Sequence, residues 1–131
     1  MMENVIGAKL SKETKVTQEN TAKTVGSGEI DVFATPMMIA LIEEAAAACC
    51  KQFLEEGMTT VGTLVNVSHV AATPVGMTVR AEAEIAGVDG REITFIVKAY
   101  DEKGMIGEGQ HKRFIVKTEK FRQKAYDKLD K

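Results

Sequence analysis

One stretch restricts what this chain can fold into more than any other: Thr35–Gly57, TPMMIALIEEAAAACCKQFLEEG. It has the punctuation of a helix. Thr35 suits an N-cap, because its hydroxyl can accept from a free amide of the first turn. Pro36 suits the first helical position, where its missing N–H is not needed, and Gly57 suits the stop. A helix over Pro36–Glu56 would run about 31 Å at 1.5 Å per residue. Between Met37 and Cys50 every residue is apolar except Glu43 and Glu44. A helix apolar almost all round must be buried on most of its faces. The small run Ala45–Cys50 predicts close packing there. The two carboxylates point about 100° apart, so one of the pair can reach solvent while the other is a candidate buried acid. Burial of a carboxylate is costly unless it is paired or used.

The rest of the chain supplies something to bury this helix against. Residues 1–29 are polar and weakly patterned; one strand is expected near Ala8–Thr17 and loop for the remainder. Ile30–Phe33 leads into the helix and is placed to cover one end of it. After Gly57 the hydrophobic period changes from helix to strand. Thr60–Val70 alternates, with Val61, Thr63, Val65, Val67 and His69 expected on one face. Met77–Ala86 puts Met77, Val79, Ala81, Ala83 and Ile85 inward. Asp89-Gly90 signals a hairpin, followed by a strand over Glu92–Tyr100 and a turn at Asp101–Gly104. Met105–Thr118 is the last long strand, and its Gly107 and Gly109 suggest a bend or a close backbone approach. Glu119–Leu129 reads as a short polar helix or tail with Phe121, Ala125 and Leu129 spaced to dock. The expected fold is α+β: an antiparallel sheet curled around one long helix, all in a single domain, 1–131. One sheet around one helix leaves part of the helix and a sheet edge uncovered, and a homodimer covers both.

Composition closes off several functions. A net charge of −2 gives no reason to propose nucleic acid. No apolar run reaches the roughly 20 residues that a bilayer requires, so no membrane association is expected, and without a leader pattern the cytoplasm is the default. The adjacent Cys49 and Cys50 cannot bridge to each other in the usual geometry and read as small packing residues. Two widely separated histidines and adjacent cysteines make no metal-ligand cluster.

Seven residues carry possible chemistry. Glu43 or Glu44 is a desolvated base or nucleophile, or an acid paired at an interface. His69 falls on the valine face of its strand, as a proton carrier or as a core histidine bonded to backbone. Thr35 has a sufficient structural job as a cap. Gly62 marks a bulge, or an N–H aimed at a carbonyl. His111 and Arg113 share one face of the last strand with the glycines, as a solvated sheet face or as contacts for an anion.

The segments ATPMMIALIEEAAA, VGTLVNVSHVAATPVGMTV and GEGQHKRF together resemble the hotdog-fold thioesterases of the fluoroacetyl-CoA thioesterase type, over about Val32–Arg113. The resemblance implies a helix wrapped by an antiparallel sheet, a homodimer or a dimer of dimers, and a site at the dimer interface. It implies an acyl-CoA thioesterase with a catalytic Thr35/Glu43/His69 set, and so selects Glu43 over Glu44. It puts the carbonyl-polarising amide on Gly62 and substrate contacts on Arg113 and Phe33. No cofactor is implied, since CoA enters as part of the substrate. The fluoroacetyl-specific enzyme has an apolar lid with phenylalanine before the helix, whereas Gly26–Ile30 here is glycine-rich and polar. A general acyl-CoA thioesterase is therefore expected rather than a fluoroacetyl-selective one. The alternative is a non-catalytic acyl-CoA binding or sensing domain. A hydratase would show an Asp or His early in the helix, and this helix has neither.

Spacing adds a restriction. Thr35 and Glu43 lie eight residues apart, about 12 Å along a helix and about 80° out of phase. One helix cannot bring both to one atom, so the expected site combines residues of two subunits.

Overall fold

The computed structural model describes residues 2–130. Among these, five strands form one antiparallel sheet in the order β1-β3-β4-β5-β2. They are β1 (Lys9–Lys15), β2 (Met58–His69), β3 (Thr78–Asp89), β4 (Glu92–Asp101) and β5 (Gly104–Lys117). Strict alternation in β3 and β4 puts Val79, Ala81, Ala83, Ile85, Ile93, Phe95, Val97 and Ala99 inward, all fully buried. The two-residue tip at Gly90-Arg91 joins them, with Asp89 opposite Glu92 and Gly90 at φ 64°. These strands match their expected bounds within about three residues.

The helix α2 (Thr35–Lys51) lies across the concave face, against β1, β2, β3 and β4. Met38, Ile42, Ala45, Ala46, Cys49 and Cys50 are fully buried there. Burial of a side chain such as Met38 or Ile42 is worth about 1.5–3 kcal/mol. The cysteines are free and pack as small apolar residues. Burial, then the neighbouring Cys49, pushes the Cys50 thiol up to about 11.

The helix differs from expectation at both ends. Ala34 is the N-cap, without a side-chain bond, and Thr35 is already helical. The hydroxyl of Thr35 is engaged elsewhere, as described below. The helix stops at Lys51, short of Gly57, because the chain tightens through Phe53 N–H to Cys50 O and brings Leu54 back onto the core. Gly57, at φ 87°, serves the turn into β2 instead.

Residues 17–25, expected as loop, are ordered by their threonines and one asparagine. Thr17 and Asn20 exchange side-chain and backbone bonds, and Thr21 caps a single helical turn, α1 (Ala22–Val25). This arm is tied down by Ala22 N–H to Val32 O, Ala34 N–H to Asn20 O and Phe33 N–H to Thr73 O. Phe33, 1% exposed, plugs the end of the core beneath it.

Two further expectations are corrected. Strand β2 does not keep one phase: a bulge between Gly62 and Leu64 inserts Thr63 as an extra residue. Thr60 and Gly62 therefore face inward before the bulge, and Val65, Val67 and His69 after it, opposite Ile115, Arg113, His111, Gly109 and Gly107. Val61 and Thr63 leave the expected inner face. At the C-terminus, α3 (Thr118–Tyr126) buries none of its residues, with Phe121 44% exposed and Leu129 beyond it 79% exposed. Their spacing is that of a docking face, but within the protomer Phe121 only lines an open cleft with Phe114 and Val116.

Candidate active site

The sequence-predicted residues fall into two groups. The first sits at the helix N-terminus. Thr35 Oγ1 lies 2.7 Å from His69 Nδ1. The arm through Phe33 sets the start of α2, and the last residue of β2 brings His69 to meet it. Burial lowers the His69 pKa, partly offset by the Ala71 backbone. The neutral imidazole that results can accept the threonine proton at Nδ1 and carry its own on Nε2. That Nε2 is buried and has no hydrogen-bond partner among the described residues. A cleft of about 290 Å³ opens beside the pair, walled by Val32, Phe33, Val70, Ala71 and Ala72.

The second group lies two helical turns along. Glu43 Oε2 stands 3.8 Å from Arg113 Nη1. Glu43 is half-buried, while Glu44 is exposed. Gly62 is where β2 passes under the carboxylate: a Cβ added there would come within 2.6 Å of Glu43 Oε2. Its φ is not positive, so the glycine serves close approach, not an unusual backbone turn. The same reason accounts for Gly107 and Gly109, whose added Cβ atoms would lie 2.6 Å from Ser68 O and 2.1 Å from Asn66 O.

His111 and Arg113 are not on a solvated face. Both are buried on the inner side of β5. Arg113 donates from Nε to Thr60 Oγ1 at 2.8 Å and from Nη2 to Thr60 O at 3.0 Å. Its Nη1 lies 3.1 Å from His111 Nε2, and His111 Nδ1 lies 2.8 Å from Leu64 O. A guanidinium only donates and a carbonyl only accepts. His111 must therefore be neutral, with its proton on Nδ1. Burial lowers its pKa, in keeping with that state; the Leu64 carbonyl and Glu43 oppose the shift, and Arg113 adds to it. Burial likewise pulls the Arg113 guanidinium down, opposed by Cys50 and Glu43. Arg113 is thus buried beside Glu43, with its remaining donors engaged by Thr60 and His111. Sequence reasoning missed Thr60 as its anchor. The signal was present in the even-numbered parity that Thr60 shares with Gly62.

Within one protomer Thr35 and Glu43 are separated by two turns of α2, about 12 Å. Both groups lie along a helix stripe that the sheet leaves open: Thr35 is exposed, and Ile39, Glu43 and Ala47 are half-buried. The adjacent strand β2 is an edge of the sheet, with Leu64 and Val65 exposed on it.

Comparison with known proteins gives a consistent picture. The family model described as fluoroacetyl-CoA-specific thioesterase matches residues 16–119. The fluoroacetyl-CoA thioesterase of Streptantibioticus cattleyicolor is 41% identical over 98 residues, covering 75% of this chain and 70% of that one. A solved structure of the fluoroacetyl-CoA thioesterase FlK superposes with a TM-score of 0.88 at 33% identity, covering 94% of this chain and 96% of that one. A thioesterase superfamily member from Thermus thermophilus, TTHA0967, superposes with a TM-score of 0.86 at 31% identity, over 95% and 92% of the two chains.

Proposed function

The chain belongs to the fluoroacetyl-CoA-specific thioesterase family and hydrolyses acyl-CoA thioesters, and from that premise we propose that the reaction runs at two equivalent sites of a homodimer. Each site unites Thr35 and His69 of one protomer with Glu43 and Gly62 of the other. The observation that carries this reading is the separation of the two groups, both on the side of the helix that the sheet leaves open. An exposed edge strand flanked by Leu64 and Val65 supplies a surface for the second copy.

The chemistry follows from the groups. The Gly62 N–H donates to the thioester oxygen as negative charge builds there; a donor of this kind is worth about 10²–10³-fold. Glu43 supplies the attacking oxygen itself or takes the proton of an attacking water. The C–S bond breaks and its electron pair leaves on sulfur. His69, with Nδ1 accepting from Thr35, holds its Nε2–H toward the departing sulfur as a hydrogen bond and keeps the proton, and the thiolate leaves as the anion and takes its proton from solvent. If Glu43 has attacked, water then opens the mixed anhydride, its proton passing by way of the Thr35 hydroxyl to Nδ1 of neutral His69 and on to solvent. General acid–base help of this sort gives about 10²–10⁴-fold. Arg113 keeps Glu43 in place from behind.

The acyl group enters the cleft beside Phe33 and Val70. The Gly26–Ile30 stretch leaves Ile30 65% exposed and brings no aromatic side chain over that cleft. The accepted acyl groups therefore extend beyond fluoroacetyl.

Thiol release from a panel of acyl-CoAs, run on wild type, Glu43→Gln and His69→Ala, tests the residue set; each variant should fall at least about 10²-fold. Co-expressing the two variants tests the shared site. Half of the dimers are then mixed and hold one intact site of two, so about a quarter of wild-type activity returns. No recovery in a preparation proven to contain mixed dimers rules out a site built from two chains.

A further inference from the structure

Gly62 and Glu43 are gripped by the same chain of buried side chains. The bulge at Gly62–Leu64 has a backbone carbonyl on either side that β5 holds. Before it, Thr60 O and Thr60 Oγ1 accept from Arg113 at 3.0 and 2.8 Å. After it, Leu64 O accepts from His111 Nδ1 at 2.8 Å. Arg113 Nη1 donating to His111 Nε2 at 3.1 Å closes the circuit. The ring of His111 is fixed in turn against Phe95, with centroids 6.1 Å apart. A bulge interrupts the regular ladder and is locally soft. Here two carbonyls flanking the extra residue are clamped from the inner face. With three acceptors satisfied, the guanidinium has one orientation, and in it Nη1 lies toward Glu43 Oε2 at 3.8 Å.

We infer that Thr60 and His111 are positioning residues that, through Arg113, fix the Gly62 amide and the Glu43 carboxylate as one unit. This rests on the reading that Glu43 and Gly62 act on the thioester. It adds two residues that do not touch the substrate and explains why they are buried and polar. Two groups that must meet one carbonyl from different elements need a shared reference, and the Thr60–Arg113–His111–Leu64 circuit is that reference. Displacement of a reacting group by about 1 Å can cost about 10²-fold in rate.

The test compares Thr60→Val, which keeps the shape and removes the acceptor, with Thr60→Ser, which keeps the acceptor. Thiol release gives kcat and KM, thermal melting reports the fold, and the backbone amide resonance of Gly62 reports the bulge. Thr60→Val should lose about 10²-fold in kcat with KM little changed and the Gly62 resonance moved. Thr60→Ser should resemble wild type in all three. A Thr60→Val enzyme with wild-type kcat and an unmoved Gly62 resonance overturns the inference. Should Thr60→Val not fold, His111→Gln carries the test: its Oε1 reaches the place of Nε2, but Leu64 O loses its donor. A lower kcat with a moved Gly62 resonance supports the clamp, and no change in either refutes it. Glu43→Gln is run alongside. Wild-type rates for that variant remove the parent reading, whereas an inactive Glu43→Gln beside an unaffected Thr60→Val removes only the clamp.

Discussion

Gly62→Ala is the most informative single change, because the structure gives its size in advance. The new Cβ would lie 2.6 Å from Glu43 Oε2, 3.2 Å from His111 Cε1 and 3.4 Å from Arg113 Nη1. Ordinary contact begins near 3.4 Å, so the carboxylate must retreat by about 0.8 Å while the ring shifts by a few tenths. The retreating atom is the end of a flexible side chain, and φ at this position is not positive, so the backbone has no cause to rearrange. Folding stability should therefore change by less than about 1 kcal/mol, the extra contact set against the entropy that alanine removes from the unfolded chain. The reaction should respond differently. A shift approaching 1 Å in an attacking group costs about 10²-fold, which is about 2.7 kcal/mol of barrier. Thiol release at saturating acyl-CoA and a melting curve measure the two quantities. In a Glu43→Gln background the same alanine should cost almost nothing, since the group it displaces is already inactive; contacting residues of this kind couple by about 0.5–3 kcal/mol. A Gly62→Ala enzyme with wild-type kcat refutes the reasoning, as does an equal loss in both backgrounds.

Thr35→Ala should leave the melting temperature nearly unchanged, within about 0.5 kcal/mol, because Ala34 is the cap. The same variant should slow thiol release, since it frees His69 Nδ1. Gly109→Ala should do the reverse of Gly62→Ala, because its Cβ meets Asn66 O and the Val67 backbone and the clash cannot be absorbed; a loss of about 3 kcal/mol in denaturant unfolding is expected. The histidines set the acid side of stability. His69 and His111 are both held below their ordinary value of 6.5, so the unfolded chain binds more protons than the folded one below that pH. Their contribution is present above about pH 6.5 and is lost as pH falls through the lowered values. Melting temperatures measured downward from pH 8 should decline below that point, and His111→Asn should flatten the decline.

Much of the fold was legible in the sequence because β3 and β4 alternate through their buried spans, the bulge after Ile85 coming only past the last inward residue of β3, and because the helix is apolar almost all round. Val79–Ile85 and Ile93–Ala99 alternate without interruption, and the Asp89-Gly90 signal marks their turn. The helix was legible from composition alone, but its first residue was not. A threonine hydroxyl can cap or bond across to another element, and only the position of His69 decides between them. Strand β2 defeated the pattern because alternation read across Thr60–Val70 assumes an unbroken ladder, and Thr63 breaks it. The inward placement of His111 and Arg113 was concealed by their polarity, although Gly107 and Gly109 of the same parity pointed to the crowded face. The Phe121/Ala125/Leu129 spacing shows that a helix is amphipathic but not how deeply the protomer covers its apolar side. The resemblance singled out Glu43, which pattern alone had left level with Glu44, and the structure places that residue beside Arg113 and Gly62.

The open edge of β2 has a further consequence, for handling of the chain in the cell. From Thr59 to Val67 the strand reads TTVGTLVNV, nine residues with no charge and no proline. That is the composition of segments that stack into cross-β aggregates when left exposed. Natural edges are commonly guarded by a lysine, a proline or an inward charge, and this one carries none of them among the described residues within that span. In the proposed homodimer the second copy occupies it, and a newly made protomer is then most at risk in the interval before pairing. A substitution that slows that pairing should lower solubility together with activity, since each proposed site needs two copies.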